Sequence, residues 1–193
     1  MSGGRWSVLL LLGLGACGRA TSQAGGGTSE DGPPRELPLA QLYVLEMSGI
    51  PPEDTVVTFA SGQARTVVLR HGPPDNTVFV ELQFPDSVFN GNQVPDSVTL
   101  TIKVRPGVYG LDLTSTAKLG KGATIRFKYP VHFVAPVAAI ARYGSTTRFE
   151  RNLFVTTRIE GDRFALLASD RPASDNLRSA LPGPGTYLVA AER

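Results

Sequence analysis

From Leu37 onward the chain is divided by turn signals: "GIPPED", "HGPPDN", "FNGN", "RPG", "LGKG", "YGS", "EGD" and "PGPG" follow one another with short stretches between them. Proline locks φ and lacks an amide donor, and glycine opens conformations that other residues avoid, so each cluster ends the element before it. Fifteen prolines and 21 glycines spread in this way leave no room for long helices. Many short strands joined by turns remain, and they close into a sandwich or a barrel.

The stretches between the turns agree. "TVFVELQF" sets Val78, Val80, Leu82 and Phe84 against Phe79, Glu81 and Gln83, and "SVTLTIKV" sets Val98, Leu100, Ile102 and Val104 against Thr99, Thr101 and Lys103. A period of two marks a strand with one buried face. The same alternation, less regular, covers 39–47, 55–59, 65–70, 108–114, 124–129, 137–143, 153–159, 163–168 and 186–191. Only "SDNLRSAL", 174–181, reads as a helical turn, with Ser174 as its cap. "PDSV" occurs at Pro85 and again at Pro95, but the residues around it do not repeat.

Ahead of this region, residues 1–16 have the layout of a secretory signal: one positive charge at Arg5, an apolar run from Trp6 to Leu12, and the small residues Gly13, Gly15 and Ala16. The run is well short of the roughly 20 residues that a membrane-spanning helix needs. Leu14-Gly15-Ala16-Cys17 resembles the lipobox of bacterial lipoproteins, and Cys17 is the only cysteine in the sequence. The resemblance implies a diacylglyceryl group on the Cys17 thiol, cleavage before Cys17, and attachment to a membrane through two or three acyl chains. Gly18, in place of the retaining aspartate, implies the outer membrane in a cell that has two. Residues 17–36 complete this segment: "TSQAGGGTSEDGPPRE" lacks any apolar cluster that could repay the entropy of ordering, and reads as a disordered tether.

The remaining residues, 37–193, suit one core. From Asn76 to Ala191 the order of features resembles the β-sandwich module shared by ankyrins, netrin receptors and zonula-occludens scaffolds. A strand runs into the corner Phe84-Pro85-Asp86-Ser87-Val88-Phe89; "VTLTIKV" and "VYGLDLTS" follow, then Phe127-Lys128-Tyr129-Pro130-Val131, and the module closes on "GTYLVAA". Ser87-Val88 departs from the small Gly-Ala pair of that family. The resemblance implies an all-β, immunoglobulin-like antiparallel β-sandwich that serves interaction. Some relatives cut themselves at a His-Phe-Ser tripeptide; His132-Phe133-Val134 has no hydroxyl for that step, so self-cleavage is not implied.

Charge and motifs narrow the function. Nineteen lysines and arginines face 17 acids, and loss of Arg5 with the leader brings the balance closer to neutral, which gives no electrostatic case for nucleic acid. Ser115-Thr116-Ala117-Lys118 with Ser174-Asp175-Asn176 is similar to two motifs of serine β-lactamases, but no Lys-Thr-Gly strand follows Asn176 and "LTSTAKLGKG" is a link between strands. His71 opens a turn and His132 alternates on an expected strand, so both read as surface histidines without a nucleophile elbow to serve. "LGKGAT" lacks the spacing of a phosphate-binding loop, and no cofactor is implied. Asp86, Asn90, Asn92 and Asp96 place hard oxygen donors around Gly91 in the manner of a weak Ca²⁺ site, without EF-hand spacing; Asx-rich turns have the same composition.

Arg142, Tyr143, Arg148, Arg151 and Arg158, with Phe149 and Phe154 among them, form the densest basic-aromatic run. They read as the solvated face of two strands and as a candidate binding face for an anionic envelope polymer or an acidic partner. The function expected is a non-catalytic, lipid-anchored envelope protein acting as a binding or structural module. A small envelope hydrolase or polysaccharide-acting enzyme is the alternative, and it would require convergent carboxylates or a nucleophile with its base.

Overall fold

The computed structural model describes Met1, residues 34–89 and residues 95–193; Cys17, the leader and most of the expected tether lie outside the described residues. The sandwich begins with β1 (Glu36–Pro38), a single 3-10 turn at Leu39–Gln41, β2 (Leu42–Val44) and β3 (Glu46–Met47). Next come β4 (Thr55–Ala60), β5 (Arg65–Arg70), β6 (Val78–Phe84) and β7 (Ser97–Val104). β8 (Gly110–Ser115), β9 (Thr124–Lys128) and β10 (Phe133–Val134) lead to helices α1 (Val137–Tyr143) and α2 (Thr146–Arg151). The chain ends with β11 (Phe154–Glu160), β12 (Arg163–Leu166), β13 (Ser169–Asp170), β14 (Asn176–Ala180) and β15 (Gly185–Glu192).

Two antiparallel sheets result, an all-β sandwich. One runs β1-β12-β11-β15-β8-β7-β4, with β2 also on β15, and the other β13-β14-β9-β6-β5; β10 and β3 form a small ribbon. β4 lies at the edge of the first sheet and β5 at the edge of the second, so residues before Asn76 are part of the same sandwich as those after it. The alternation of β6 and β7 sets the core. Val80 and Leu82 from one sheet and Leu100 and Ile102 from the other are fully buried in a single apolar cluster, the packing expected of two inner faces. β15 differs because "TYLVAA" is apolar on both sides. Tyr187 and Val189 join that cluster, while Leu188 and Ala190 join Leu42, Phe164 and Leu166 on the opposite face of the sheet.

The structure departs from the expected elements in three places. Residues 137–143 are the helix α1, not a strand. "VAAIARY" is alanine-rich, begins after Pro136 and stops at Gly144, whose left-handed φ of 78° and N–H to the Ile140 carbonyl (2.8 Å) close the helix end. α2 follows at once because the Ser145 hydroxyl accepts the Arg148 N–H at 3.2 Å, an N-cap. Conversely, 174–181 does not form a helical turn: Leu177 pairs with Phe127 and Ser179 with Ile125, so these residues complete a sheet as β14. Phe79, expected on the outer face of β6, is buried, because the register shifts there: Leu69 faces Val80 and Arg70 faces Val78, which leaves Phe79 as the extra residue of a bulge.

Candidate binding surface

The helical corner grows out of its sequence in two layers. Ala139 and Tyr143, four residues apart on α1, face inward, and Phe149 of α2 is buried beside them, 5.8 Å from the Tyr143 ring. The Tyr143 hydroxyl donates to the Glu192 carbonyl at 2.8 Å, and burial with the nearby Glu192 charge pushes its pKa up, so the phenol stays neutral and donating. The outward layer is Val137, Ala138, Ile140, Ala141 and Arg142. Arg142 lies over the Tyr143 ring at 6.0 Å, and the Arg148 guanidinium sits 3.7 Å from where a Cβ on Gly144 would be. Both cations thus stand at the carboxyl end of α1, where the unsatisfied carbonyls favour positive charge.

Of the candidate face, the structure gathers Arg142, Tyr143 and Arg148 at this corner, with Arg151 ending α2. None of the three arginines makes an ion pair with a described residue. Arg158 lies apart on β11, over the Phe164 ring at 5.6 Å. The expectation of a face made from two strands is therefore corrected: the basic cluster is a two-helix corner, and Arg158 is not at that corner.

A second arrangement escaped the sequence reading altogether. His71 and His132, expected at the surface, are buried with ring centroids 4.3 Å apart. Phe79 and Tyr109 pack edge-on to His71 at 5.5 and 6.2 Å. His71 Nδ1 lies 3.2 Å from the Ile50 carbonyl, its Nε2 has no protein partner, and Asp75 Oδ2 approaches His132 Nε2 at 2.9 Å without the alignment of a hydrogen bond. Gly49, with φ 79°, leaves room for the His132 ring; a Cβ there would lie 2.5 Å from Nδ1. Desolvation lowers the His71 pKa first of all, and the neighbouring His132 adds to the effect, against the Ile50 carbonyl and Asp75. No local motif announces this cluster, because three loops distant in sequence build it. A His-Asp pair is half of an acid-base device, yet both imidazoles are buried, with His71 edge-on to two aromatic rings, which suits a structural plug better than proton transfer.

The other candidates separate. Asp86 lies in the turn after β6, and the Asp96 carbonyl accepts the Ser61 N–H at 3.1 Å; Asn90 and Asn92 lie outside the described residues. Among the described residues no group of three or more metal-ligating side chains could hold a metal ion. Ser115 donates to the Ala117 carbonyl at 2.6 Å at the end of β8, while Asn176 opens β14 in the other sheet. A cleft of about 500 Å³ lies beside the ion pair of Asp170 and Arg178, lined by Phe154, Thr124 and Ser169. Across that sheet Glu81, Arg126, Arg178 and Asp170 stand in one row, and Glu81 also binds Lys128 at 2.6 Å, so these charges are engaged with one another.

No protein-family model matches the chain, and searches of curated proteins and of solved structures found no match. Among the described residues no helix is long and apolar enough to cross a membrane.

Proposed function

We propose that this protein is a lipid-anchored component of the cell envelope that acts without catalysis, as a binding or structural module. Acyl chains on Cys17 hold it to a membrane, the residues up to the first strand form a tether, and the sandwich presents the interacting surface. The observation that carries this reading is Leu14-Gly15-Ala16-Cys17: a single cysteine in 193 residues, placed where a short apolar leader ends. On the folded side, Arg142, Arg148 and Arg151 support it, because guanidinium groups that make no ion pair with a described residue keep their donors for an anionic partner. The resemblance to the scaffold module of ankyrins and netrin receptors agrees with a role in interaction, and Gly18 favours the outer membrane in a two-membrane cell. Mass spectrometry of the native protein tests the anchor: the amino end is expected to be an acylated Cys17, with Cys17→Ser leaving the precursor uncleaved or the product released. An unmodified mature chain that starts elsewhere overturns the proposal.

A further inference from the structure

α1 carries aliphatic residues outward as well as inward. A helix on a water-facing surface carries polar residues outward, yet the outward residues of α1 include Val137, 85% exposed, and Ile140, 37% exposed. Val134 and Val131, in the approach to the helix, add 39% and 59% exposure. Ala138 also lines a cleft of about 310 Å³ shared with Leu39, Val44 and Val108 and with the charged Glu46 and Arg193. Isolated exposed aliphatics are ordinary, but Val137 and Ile140, one turn apart on α1, give this helix an outward apolar edge that calls for a partner.

The charges around the patch say what kind. Arg142 sits in the last turn of α1 over the Tyr143 ring, Arg148 packs beside Gly144 at the same helix end and Arg151 ends α2, none of them in an ion pair among the described residues; of the acids close by, Glu150 stands between Arg148 and Arg151 on α2, Glu192 lies beside Tyr143, and Glu46 sits opposite Val134 on the β3–β10 ribbon. Aliphatic side chains beside arginines that make no ion pair with a described residue match an interface that is apolar within and anionic at its rim, which is the layering of an acidic phospholipid surface. A soluble acidic polymer would use the arginines and leave Val137 idle. Position agrees with this partner. Arg35, in the first described stretch of the sandwich, binds Glu192 Oε1 at 2.6 Å, and the carbonyl of the same Glu192 accepts the Tyr143 hydroxyl. The chain that comes from Cys17 therefore joins the fold close to α1, and a tether to a membrane delivers this corner to it.

We infer that the α1–α2 corner, with Val137 and Ile140 as its apolar contacts and Arg142, Arg148 and Arg151 as its cations, rests on the surface of an anionic phospholipid bilayer. The surface lies flat against the headgroups; the helix is too short to span. This inference takes its partner from the membrane-anchored reading, but its test is independent of acylation. The chain from residue 17 with Cys17→Ser carries no lipid and retains all the described strands and helices. It is mixed with vesicles of phosphatidylcholine alone, or of about three parts phosphatidylcholine to one of phosphatidylglycerol, and sedimented. Binding to the anionic vesicles and little to the neutral ones is expected. Arg148→Ala and Arg151→Ala should each weaken it about fivefold at low salt, with less effect at high salt. Val137→Ser with Ile140→Ser should weaken it about tenfold at both, and Val137→Ser alone, at a residue 85% exposed, should weaken it in the same direction with unchanged melting. Absence of binding to anionic vesicles overturns the inference. So does retention on delipidated envelope material that the arginine changes reduce and the Val137 and Ile140 changes do not, since that outcome assigns the corner to a polymer. If mass spectrometry finds no acyl group on Cys17 while vesicle binding persists, the anchor fails and the surface stands.

Discussion

His71 is held in place by the Phe79 and Tyr109 rings packed edge-to-face with it, the Ile50 carbonyl at Nδ1, and the His132 ring tilted 45° to it at 4.3 Å. A proton on it would have to be carried in a desolvated site beside a second imidazole, with Asp75 alone offering an opposing charge. Its folded-state pKa accordingly lies below the ordinary value of about 6.5, whereas the unfolded chain titrates at that value. The unfolded state binds more protons between the two, so the stability that the neutral residue contributes is complete above about pH 6.5 and is lost as the pH falls toward the depressed value. Thermal melting from pH 8 to pH 4.5 should show a drop beginning near pH 6.5, and His71→Phe should flatten that limb relative to the native chain. A limb of the same slope in the variant would assign the titration elsewhere. This residue was the least legible in the sequence. A histidine beside Gly-Pro-Pro looks like a turn, and no periodicity reveals that a loop containing Gly49 will fold over it.

At the scale of elements, legibility followed burial pattern. β5, β6 and β7 fall where period two placed them, because apart from the bulge at Phe79 each has one face in the core and the other more exposed, and that asymmetry is written directly as alternation. α1 and β14 were exchanged in kind for the same physical reason. "VAAIARY" has aliphatic residues on both its buried and its exposed sides, so neither period stands out. "SDNLRSAL" has a Ser that imitates a cap, while its strand character comes from pairing with β9, which local sequence does not contain. Two strands there would make no corner, and in the sequence the arginines stand out only by their density. The corner depends on its own cap. Ser145→Ala removes the acceptor for the Arg148 N–H and should cost about 1 kcal/mol by chemical denaturation, within a range of about 0.5–2. If α2 frays as a consequence, vesicle binding should fall with it, since Arg148 and Arg151 are then no longer held beside α1. A stability loss under about 0.2 kcal/mol would mean that the cap is replaced by water at no cost.

For the whole molecule, the sandwich is closed by its ends. β1 pairs with β12, the Leu166 N–H donates to the Arg35 carbonyl at 2.8 Å, and the Leu39 N–H donates to the Asp162 carbonyl at 2.7 Å. Leu37 packs against the second apolar cluster around Phe164. The folded region thus takes up residues that composition alone assigned to the tether, since Arg35 and Glu36 are polar and their role is made by the backbone. This separates two truncations. A chain starting at Pro34 keeps every one of these contacts, and its melting should match that of the chain from residue 17. A chain starting at Leu42 loses the β1–β12 ladder, the backbone hydrogen bonds Leu166–Arg35, Leu39–Asp162 and Arg193–Gln41, and the Leu37 contact; at roughly 1 kcal/mol for each of those three bonds and 1–2 for the side chain, the loss is at least about 4 kcal/mol. Urea unfolding of the two shortened chains measures the difference. Equal midpoints would make β1 an ornament on the sheet edge, and would move the working boundary of the domain to β2.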